Sequence, residues 1–272
     1  MPPKLGIIAG GGELPGAIIR HCRDTGREFF VIALRDQADE RHLAGTAHEW
    51  VRLGAAGTAI KYLRNNNVEE LVLAGSVRRP SLSALRPDLW TAKFFARTGA
   101  SGLGDDGLLS ALISALHRDE GFTVVGSDQL LPDLIAPAGA IGTVQADDRL
   151  RPDIDTGIAA ARELGQQDVG QAVVVRNGTV IDREDASGTA ALLARVHPLP
   201  DGQSGVLVKT AKPQQERRAD LPTIGPDTIR QAHAAGLCGI AVEAGNAIIL
   251  QKSRVIEEAD RAGLFVLGVD TG

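Results

Sequence analysis

The chain has 272 residues, of which 43% are hydrophobic and 23% are charged, a balance typical of a globular rather than a disordered protein. Its length allows one large domain or two smaller ones. The formal net charge of −5 argues against general nucleic-acid binding, which needs a basic surface.

Two further features indicate where the protein works. Cys22 and Cys238 have neither metal-binding nor disulfide-framework spacing, and we interpret them as reduced thiols of a cytosolic protein. The N-terminus lacks the pattern of a secretory signal, and the sequence has no run of about 18 apolar residues that could span a membrane. Peripheral membrane contact stays open.

The first half of the chain predicts a parallel sheet. Short apolar runs predict strands at 5–9, 29–34, 50–53, 71–74 and 122–125. Helical patterns occupy about 14–23, 58–65 and 105–121. Strands that alternate with helices in this way are typical of a parallel α/β sheet. The stretch 77–103 has no regular pattern and is expected to be irregular.

The second half predicts a mixed α/β arrangement. Its apolar runs predict strands at 172–175, 179–181, 205–209, 240–242, 247–250 and 264–269. Helices are expected at about 154–164, 189–196, 226–235 and 254–262. Asn177-Gly178 lies between two apolar runs and is a strong signal for a β-hairpin. The segment between the halves is rich in turns and polar residues, so we place a domain boundary at about 131–145.

A glycine-rich stretch follows the first predicted strand and precedes a helix. It consists of Gly10, Gly11, Gly12, Glu13 and Leu14. Small residues let a ligand approach the backbone, and a helix N-terminus favours anions, so this position suits a phosphate or a nucleotide. Pro15 replaces the third glycine of the dinucleotide fingerprint. A purely structural glycine turn is the alternative.

A second group of candidates, Ser76, Arg78 and Arg79, follows the fourth predicted strand. Parallel strands end at the same edge of a sheet, so these residues should share that edge with the glycine loop. Two arginines at this place can clamp a phosphate. Solvated surface arginines are the alternative.

The densest group of charges lies between the strand at 205–209 and the helix at 226. Four cations, Lys209, Lys212, Arg217 and Arg218, precede Asp220. Arginine pairs with phosphate bidentately, and carboxylates bind hard cations such as Mg²⁺. Asp220 is followed by Leu221-Pro222-Thr223-Ile224-Gly225-Pro226, where two prolines rigidify the chain and Gly225 can supply a φ that other residues resist. A rigid turn in which Asp220 pairs with an arginine is the alternative.

Six motifs in order resemble the LpxI family of UDP-2,3-diacylglucosamine pyrophosphatases over essentially the whole chain. They are 5–15 (LGIIAGGGELP), 73–80 (LAGSVRRP), 168–174 (DVGQAVV), 205–209 (GVLVK), 220–226 (DLPTIGP) and 241–245 (AVEAG). One departure lies at 186–190, where the sequence reads Ala-Ser-Gly-Thr-Ala and an acidic Glu-Gly-Thr-Asp pattern is expected. This departure puts the role of that loop in doubt.

The resemblance implies a cytoplasmic, Mg²⁺-dependent enzyme of lipid A biosynthesis in a Gram-negative bacterium. Its substrate would be UDP-2,3-diacylglucosamine, and its products 2,3-diacylglucosamine 1-phosphate (lipid X) and UMP. The family architecture implies a Rossmann-like UDP-binding domain at 1–130, a polar linker at 131–145 and a catalytic domain at 146–272 that binds lipid and phosphate. Contact with the inner membrane and a homo-oligomer stay open.

The charges of these residues then suggest their roles in hydrolysis of a pyrophosphate. Asp220 would hold Mg²⁺ or orient the attacking water, and Lys209 and Arg218 would act with it in catalysis. Arg78 and Arg79 would help to hold the phosphates, and the glycine loop would take UDP. The matched motifs further supply Gln171, Thr223, Gly225 and Glu243 as expected substrate-binding residues.

Two other functions stay open on the residues alone. The glycine loop by itself is compatible with a nicotinamide-dependent oxidoreductase, and a nucleotide- or lipid-binding protein without turnover would carry the same charges. The segment 89–97 holds Trp90, Phe94 and Phe95 with two interleaved cations. It could meet a membrane interface, or its rings could pack inside the protein.

Overall fold

The computed structural model describes residues 2–78, 85–99, 104–198, 205–213, 216–218 and 221–271, apart from the side chain of Asp105. The chain forms two compact units. The first contains the described residues up to Pro132 together with 216–218, and the second contains the remainder. None of the helices within these ranges is long and apolar enough to cross a membrane.

The first unit is built on a five-stranded parallel sheet with the order β3-β2-β1-β4-β5. The strands are β1 (Leu5–Ala9), β2 (Phe29–Leu34), β3 (His48–Val51), β4 (Glu70–Ala74) and β5 (Thr123–Val124). The helices are α1 (Leu14–Thr25), α2 (Ala56–Asn65), α3 (Leu89–Thr98), α4 (Asp105–Arg118) and α5 (Ser127–Leu130). The central strands are continuous aliphatic runs because both faces of a parallel sheet are covered.

Helix α3 corrects one prediction, because the irregular stretch expected at 77–103 is helical over Leu89–Thr98. The Asp88 carboxylate caps this helix by accepting from the Thr91 amide at 2.9 Å. It also accepts from the Thr58 amide of α2 at 3.2 Å. The rings of Trp90 and Phe94 stack at 5.6 Å, and Phe94 is buried against Ala115 of α4. Phe94 is therefore a core residue, as the packing alternative expects.

The second unit contains a six-stranded mixed sheet with the order β6-β13-β11-β9-β7-β8. The strands of this unit are β6 (Gly139–Ala140), β7 (Ala172–Arg176), β8 (Thr179–Arg183), β9 (Val206–Lys209), β10 (Thr223–Ile224), β11 (Gly239–Glu243), β12 (Ile248–Ile249) and β13 (Phe265–Val269). Strands β9, β11 and β13 are parallel, whereas β6, β7 and β8 are antiparallel to their neighbours. Strands β10 and β12 form a separate parallel pair.

Helices α6 (Arg151–Gln166), α7 (Gly188–Arg195), α8 (Pro226–Ala234) and α9 (Lys252–Ala262) complete this unit. The two faces of the sheet carry different clusters, because side chains alternate along a strand. Val173 and Val175 of β7 pack with α6, while Ala172 and Val174 pack with α7, α8 and α9. The predicted fold class, α/β with a parallel sheet followed by a mixed α/β part, is confirmed.

The hairpin predicted at Asn177-Gly178 is confirmed between β7 and β8. Both turn residues have positive φ, at 51° and 71°, as a tight two-residue hairpin turn requires. The buried Asp153 of α6 accepts hydrogen bonds from both turn amides. This turn sets the pairing of Val175 with Val180, and a shift of register between Val174 and Val175 then pairs Val173 with Arg183 near the edge described below.

Candidate functional site

The glycine loop lies at the carboxyl edge of the first sheet, where the strand order changes direction between β1 and β4. Ligands of open α/β sheets bind at such a switch point. The Gly11 amide donates to the Ser76 carbonyl at 2.7 Å, and the Ser76 amide donates to the Gly11 carbonyl at 3.0 Å. The structure therefore brings the glycine loop and Ser76 together, as their positions after parallel strands predict.

The glycines of this edge have two different roles. A Cβ on Gly10 would lie 2.5 Å from the Ser76 carbonyl oxygen, and one on Gly75 would lie 2.3 Å from the Gly11 carbonyl oxygen. These two glycines allow the loops to approach each other. Gly12 has a φ of +84°, and a Cβ at this residue would have no neighbouring atom within 4 Å, so open space lies beside its backbone.

Glu13 and Leu14 begin helix α1, with Glu13 at the N-cap and no side-chain cap on the first amides. The N-terminus of a helix favours an anion. The Glu13 carboxylate lies 3.7 Å from Nε2 of His42. This helix end therefore places the positive end of the helix dipole beside one acidic side chain.

The predicted arginines differ in their surroundings. Arg78 is exposed, and its amide donates to Oε1 of Gln37 at 2.9 Å. Arg218 donates to both carboxylate oxygens of Glu216, at 2.9 and 2.7 Å, and this hydrogen bonding raises the pKa of Arg218. Arg79 and Asp220 lie outside the described residues. Gly10, Ser76, Arg78 and Arg218 all belong to the first unit.

A second group of predicted residues meets at one edge of the mixed sheet. Lys209 ends β9 and Glu243 ends the parallel neighbour β11. Gln171 precedes β7, which is antiparallel to β9 and pairs Ala172 with Lys209. The amide of Thr210 donates to the Gln171 carbonyl at 3.1 Å. Three of the predicted residues thus share this edge, which we call the lysine edge.

Lys209 is only 6% exposed, and hydrogen bonds hold its side chain in place. Its Nζ donates to Oγ1 of Thr189 at 2.9 Å and to the Thr223 carbonyl at 3.1 Å. Thr189 in turn donates to Oε1 of Glu184 at 2.5 Å. Oε2 of Glu184 accepts from the Gln171 amide at 2.8 Å. A buried ammonium needs such partners, and here they fix its position.

The carboxylate of Glu243 organises the loop that follows Lys209. Its Oε2 accepts from the Ala211 amide at 2.9 Å. Its Oε1 accepts from Thr271 at 2.8 Å, from Asn246 at 3.1 Å and from Arg162 at 3.4 Å. Burial raises the pKa of Glu243, but these hydrogen bonds and the charge of Arg162 outweigh burial and lower the pKa. Glu243 is therefore an ionised anchor.

Two neighbours complete the lysine edge. Thr210 is 1% exposed, and within the described residues its Oγ1 has no hydrogen-bond partner. Gly225 lies at the N-cap of α8, where its amide donates to Oγ1 of Thr228 at 3.2 Å. Its φ is −152°, which any residue can adopt. The expectation that Gly225 supplies an unusual φ is wrong.

Comparison with known proteins identifies both parts of the chain. Residues 4–134 match the LpxI N-terminal domain, and residues 137–267 match the LpxI C-terminal domain. The chain belongs to the LpxI family. It is 41% identical to the UDP-2,3-diacylglucosamine pyrophosphatase LpxI of Caulobacter vibrioides, and the alignment covers 98% of both chains. The family resemblance read from the six motifs is confirmed.

The structure of this LpxI family member adds residues that the sequence reasoning missed. Glu184 and Thr189 complete the contacts of Lys209, and Arg162 and Asn246 complete those of Glu243. A signal for Glu184 was present. The hairpin at Asn177-Gly178 places the end of β8 beside the start of β7, so Glu184 must lie near Gln171. No local pattern marks Arg162, which reaches the edge from α6.

Proposed function

We propose that this chain hydrolyses UDP-2,3-diacylglucosamine at its pyrophosphate to give 2,3-diacylglucosamine 1-phosphate and UMP. The observation that carries this proposal is the 41% identity, over 98% of both chains, to a pyrophosphatase of that name. The described geometry is compatible with it, because the lysine edge offers a buried, rigid cation. Hydride transfer rests on the glycine loop alone and has no comparable support.

The pyrophosphate carries two negative charges, and further negative charge develops in the transition state on the oxygens that change bonding. Hydrolysis therefore requires that this charge be neutralised. We propose that Lys209 stabilises these oxygens. A preorganised cation in a buried site acts more strongly than one in water. Thr189 and the Thr223 carbonyl hold its ammonium group in place, so little reorganisation is needed during the reaction.

Magnesium is the cofactor that we propose, held by Asp220. Glu184 and Glu243 are oxygen ligands of the kind that Mg²⁺ prefers, but both oxygens of each already accept protein hydrogen bonds. The described residues contain no group of three side chains that could hold a metal. Mg²⁺ often binds through one or two carboxylates and substrate phosphates, and bound in this way it supplies further charge neutralisation.

We propose that the edge at Gly10, Gly12 and Ser76 binds the UDP phosphates. Open space lies beside Gly12 at the start of α1, while the backbones of Gly10 and Ser76 are paired within the protein and shape the edge. Arg78 and Arg79 follow the same strand and would add charge, while Arg218 would act from the segment beside Asp220. Gln171, Thr223, Gly225 and Glu243 stay proposed substrate-binding residues. Glu243 would act indirectly, because its carboxylate shapes the loop after Lys209. The cytoplasmic location and any homo-oligomer stay predictions.

The test is release of UMP from UDP-2,3-diacylglucosamine by the full chain with Mg²⁺. We expect turnover that stops when the metal is chelated and returns when Mg²⁺ is added. Asp220→Ala should lower kcat by about 100-fold or more while KM changes little, because the carboxylate acts in the transition state.

Asp227→Ala is the matched control, since Asp227 is an exposed acid paired with Arg230 at the start of α8. It should stay within a few-fold of the parent. Saturable substrate binding without UMP release would instead favour a binding protein. Turnover by Asp220→Ala near the parental rate would make that residue structural.

A further inference from the structure

A buried carboxylate, Glu184, lies directly after strand β8, beside the lysine edge. It is 7% exposed, and its own amide donates to the Ala172 carbonyl at 2.9 Å. Its Oε2 accepts from the Gln171 amide at 2.8 Å, and its Oε1 accepts from the Thr189 hydroxyl at 2.5 Å. Removing a carboxylate from water is costly unless the carboxylate is hydrogen-bonded. An acid at this place therefore depends on these contacts, and the reaction described above gives it no direct task.

The glycine at position 170 allows this acid to lie close to the segment before β7. A Cβ on Gly170 would lie 2.8 Å from the Glu184 carbonyl oxygen and 3.0 Å from the Glu184 Cβ. Such distances are too short for a side chain, so a larger residue would displace Glu184 from its hydrogen bonds. The glycine of the motif at 168–174 thus has a physical role, because it makes room for the acid.

The hydrogen bonds between Lys209 and Glu184 run in one direction. An ammonium group can only donate, and an ionised carboxylate can only accept. Nζ of Lys209 donates to Oγ1 of Thr189 at 2.9 Å, so this oxygen is the acceptor in that contact. The proton of the Thr189 hydroxyl is donated to Oε1 of Glu184. Because the Gln171 amide also only donates, both oxygens of Glu184 have to accept.

We propose that Glu184 is a positioning residue, which orients the Thr189 hydroxyl so that its oxygen faces Lys209. A hydroxyl that donates to a carboxylate accepts more strongly at its oxygen, since hydrogen bonds in a chain polarise one another. This inference rests on the proposed function, in which Lys209 stabilises the charge of the transition state. The loop at 186–190, which departs from the family pattern, then contributes its threonine to the same task.

Glu184→Gln tests the direction of these hydrogen bonds. It replaces one carboxylate oxygen by an NH2 group, which only donates and therefore opposes a donor, whether it faces the Gln171 amide or the Thr189 hydroxyl. We expect kcat to fall by about tenfold or more, the scale of one lost hydrogen bond to a charged group, while KM stays within a few-fold of the parent. Asp185→Asn is the matched control, because Asp185 is the neighbouring acid, is exposed and accepts from the Ser187 amide. It should keep the parental kcat.

A double-variant cycle with Thr189→Val separates positioning from a purely structural role. Thr189→Val already removes the hydroxyl that joins Glu184 to Lys209. Adding Glu184→Gln to this variant should therefore lower kcat by less than about twofold further, as is expected of groups that act through one contact. If Glu184 acts on the rate by another route, the two losses multiply instead.

Nitrogen-15 NMR of the lysine side chains provides a readout that needs no turnover. The ammonium protons of a lysine held by hydrogen bonds in a buried site exchange slowly with water, so their signal is observed. Lys209→Met assigns this signal by its disappearance. We expect the Lys209 signal in the parent and in Asp185→Asn, and we expect it to be lost or strongly weakened in Glu184→Gln.

The outcomes separate this inference from the proposed function. A parent without turnover would refute the function, whereas loss of the Lys209 signal in Glu184→Gln would still support the positioning role. If the parent is active, a parental kcat in the folded Glu184→Gln, an unchanged Lys209 signal or losses that multiply with Thr189→Val overturn it. If Glu184→Gln does not fold, Glu184→Asp decides, because its shorter side chain cannot reach both Thr189 and the Gln171 amide. A lowered kcat with KM retained supports the inference, and a parental kcat overturns it.

Discussion

The glycine-loop edge of the first sheet and the lysine edge of the second differ in the chemical groups that form them. At the first, open space beside Gly12 lies next to the N-terminus of α1. At the second, Lys209 and Glu243 are buried and tied to several partners each. A helix N-terminus beside open space suits binding of an anion, while a fixed, desolvated cation suits stabilisation of developing charge. We therefore expect changes at the first edge to act on KM and changes at the second to act on kcat.

The largest effect is expected from Lys209→Met, which removes the buried cation and keeps a similar volume. We expect kcat to fall on the order of 1,000-fold, at the upper end for loss of one preorganised electrostatic group. KM should change little. Lys212→Met is the matched control, because Lys212 is two residues beyond Thr210 and pairs with Asp168 at 2.7 Å. Steady-state kinetics that show equal losses for both variants would contradict the assignment.

Thr189 should act by positioning Lys209. Thr189→Val removes the hydroxyl that joins Lys209 to Glu184, and we expect kcat to fall by about 10- to 100-fold, the scale of losing one hydrogen bond to a charged group. Thr189→Ser keeps the hydroxyl and should restore most of the rate. Failure of the serine variant to recover activity would show that packing, rather than the hydrogen bond, matters here.

Glu243→Gln tests whether the ionised anchor stabilises the second unit. Its pKa in the folded protein lies below the ordinary value of 4.5, so its stabilisation is present above that pH and is lost as the pH falls through the lowered pKa. We expect the variant to lose about 1–3 kcal/mol at neutral pH. Denaturant unfolding should show this difference shrinking in acid. A difference independent of pH would contradict an ionised Glu243.

The smallest effect is expected at the first edge. Gly12→Ala puts a methyl group into the open space beside the loop, and its positive φ costs about 1–2 kcal/mol for a residue with a Cβ. We expect KM for the UDP substrate to rise several-fold and kcat to stay near the parental value. Gly26→Ala is the control, because Gly26 has a φ of +68° and similar open space at the far end of α1. Equal effects on KM would remove the ligand interpretation of Gly12.

The strands were predictable because aliphatic runs bounded by glycines and polar residues are local signals. Helix α3 was not, since Trp90 and Phe94 favour helix weakly and the helix depends on contacts with α2 and α4. Asp88 before it and Gly99 after it were signals for its ends. The helical structure of this segment therefore depends on tertiary contacts that its local sequence does not reveal.

The candidate site was predictable only in part, for a physical reason. Lys209 and Glu243 could each be placed at the end of a predicted strand, but that these two strands are neighbours is known only from the structure. Thr189 could not, because it reaches Lys209 from the start of α7 through a contact between residues 20 positions apart. Sequence spacing also could not separate Gly10, which permits close approach of two loops, from Gly12, which faces open space.

The most direct test of the division between binding and chemistry is calorimetric binding of UDP-2,3-diacylglucosamine to Lys209→Met in the presence of Mg²⁺. The account predicts an affinity within a few-fold of the parental KM, although turnover is almost lost. An affinity that falls in proportion to kcat would contradict the account, because Lys209 would then be a binding residue rather than the group that stabilises the transition state.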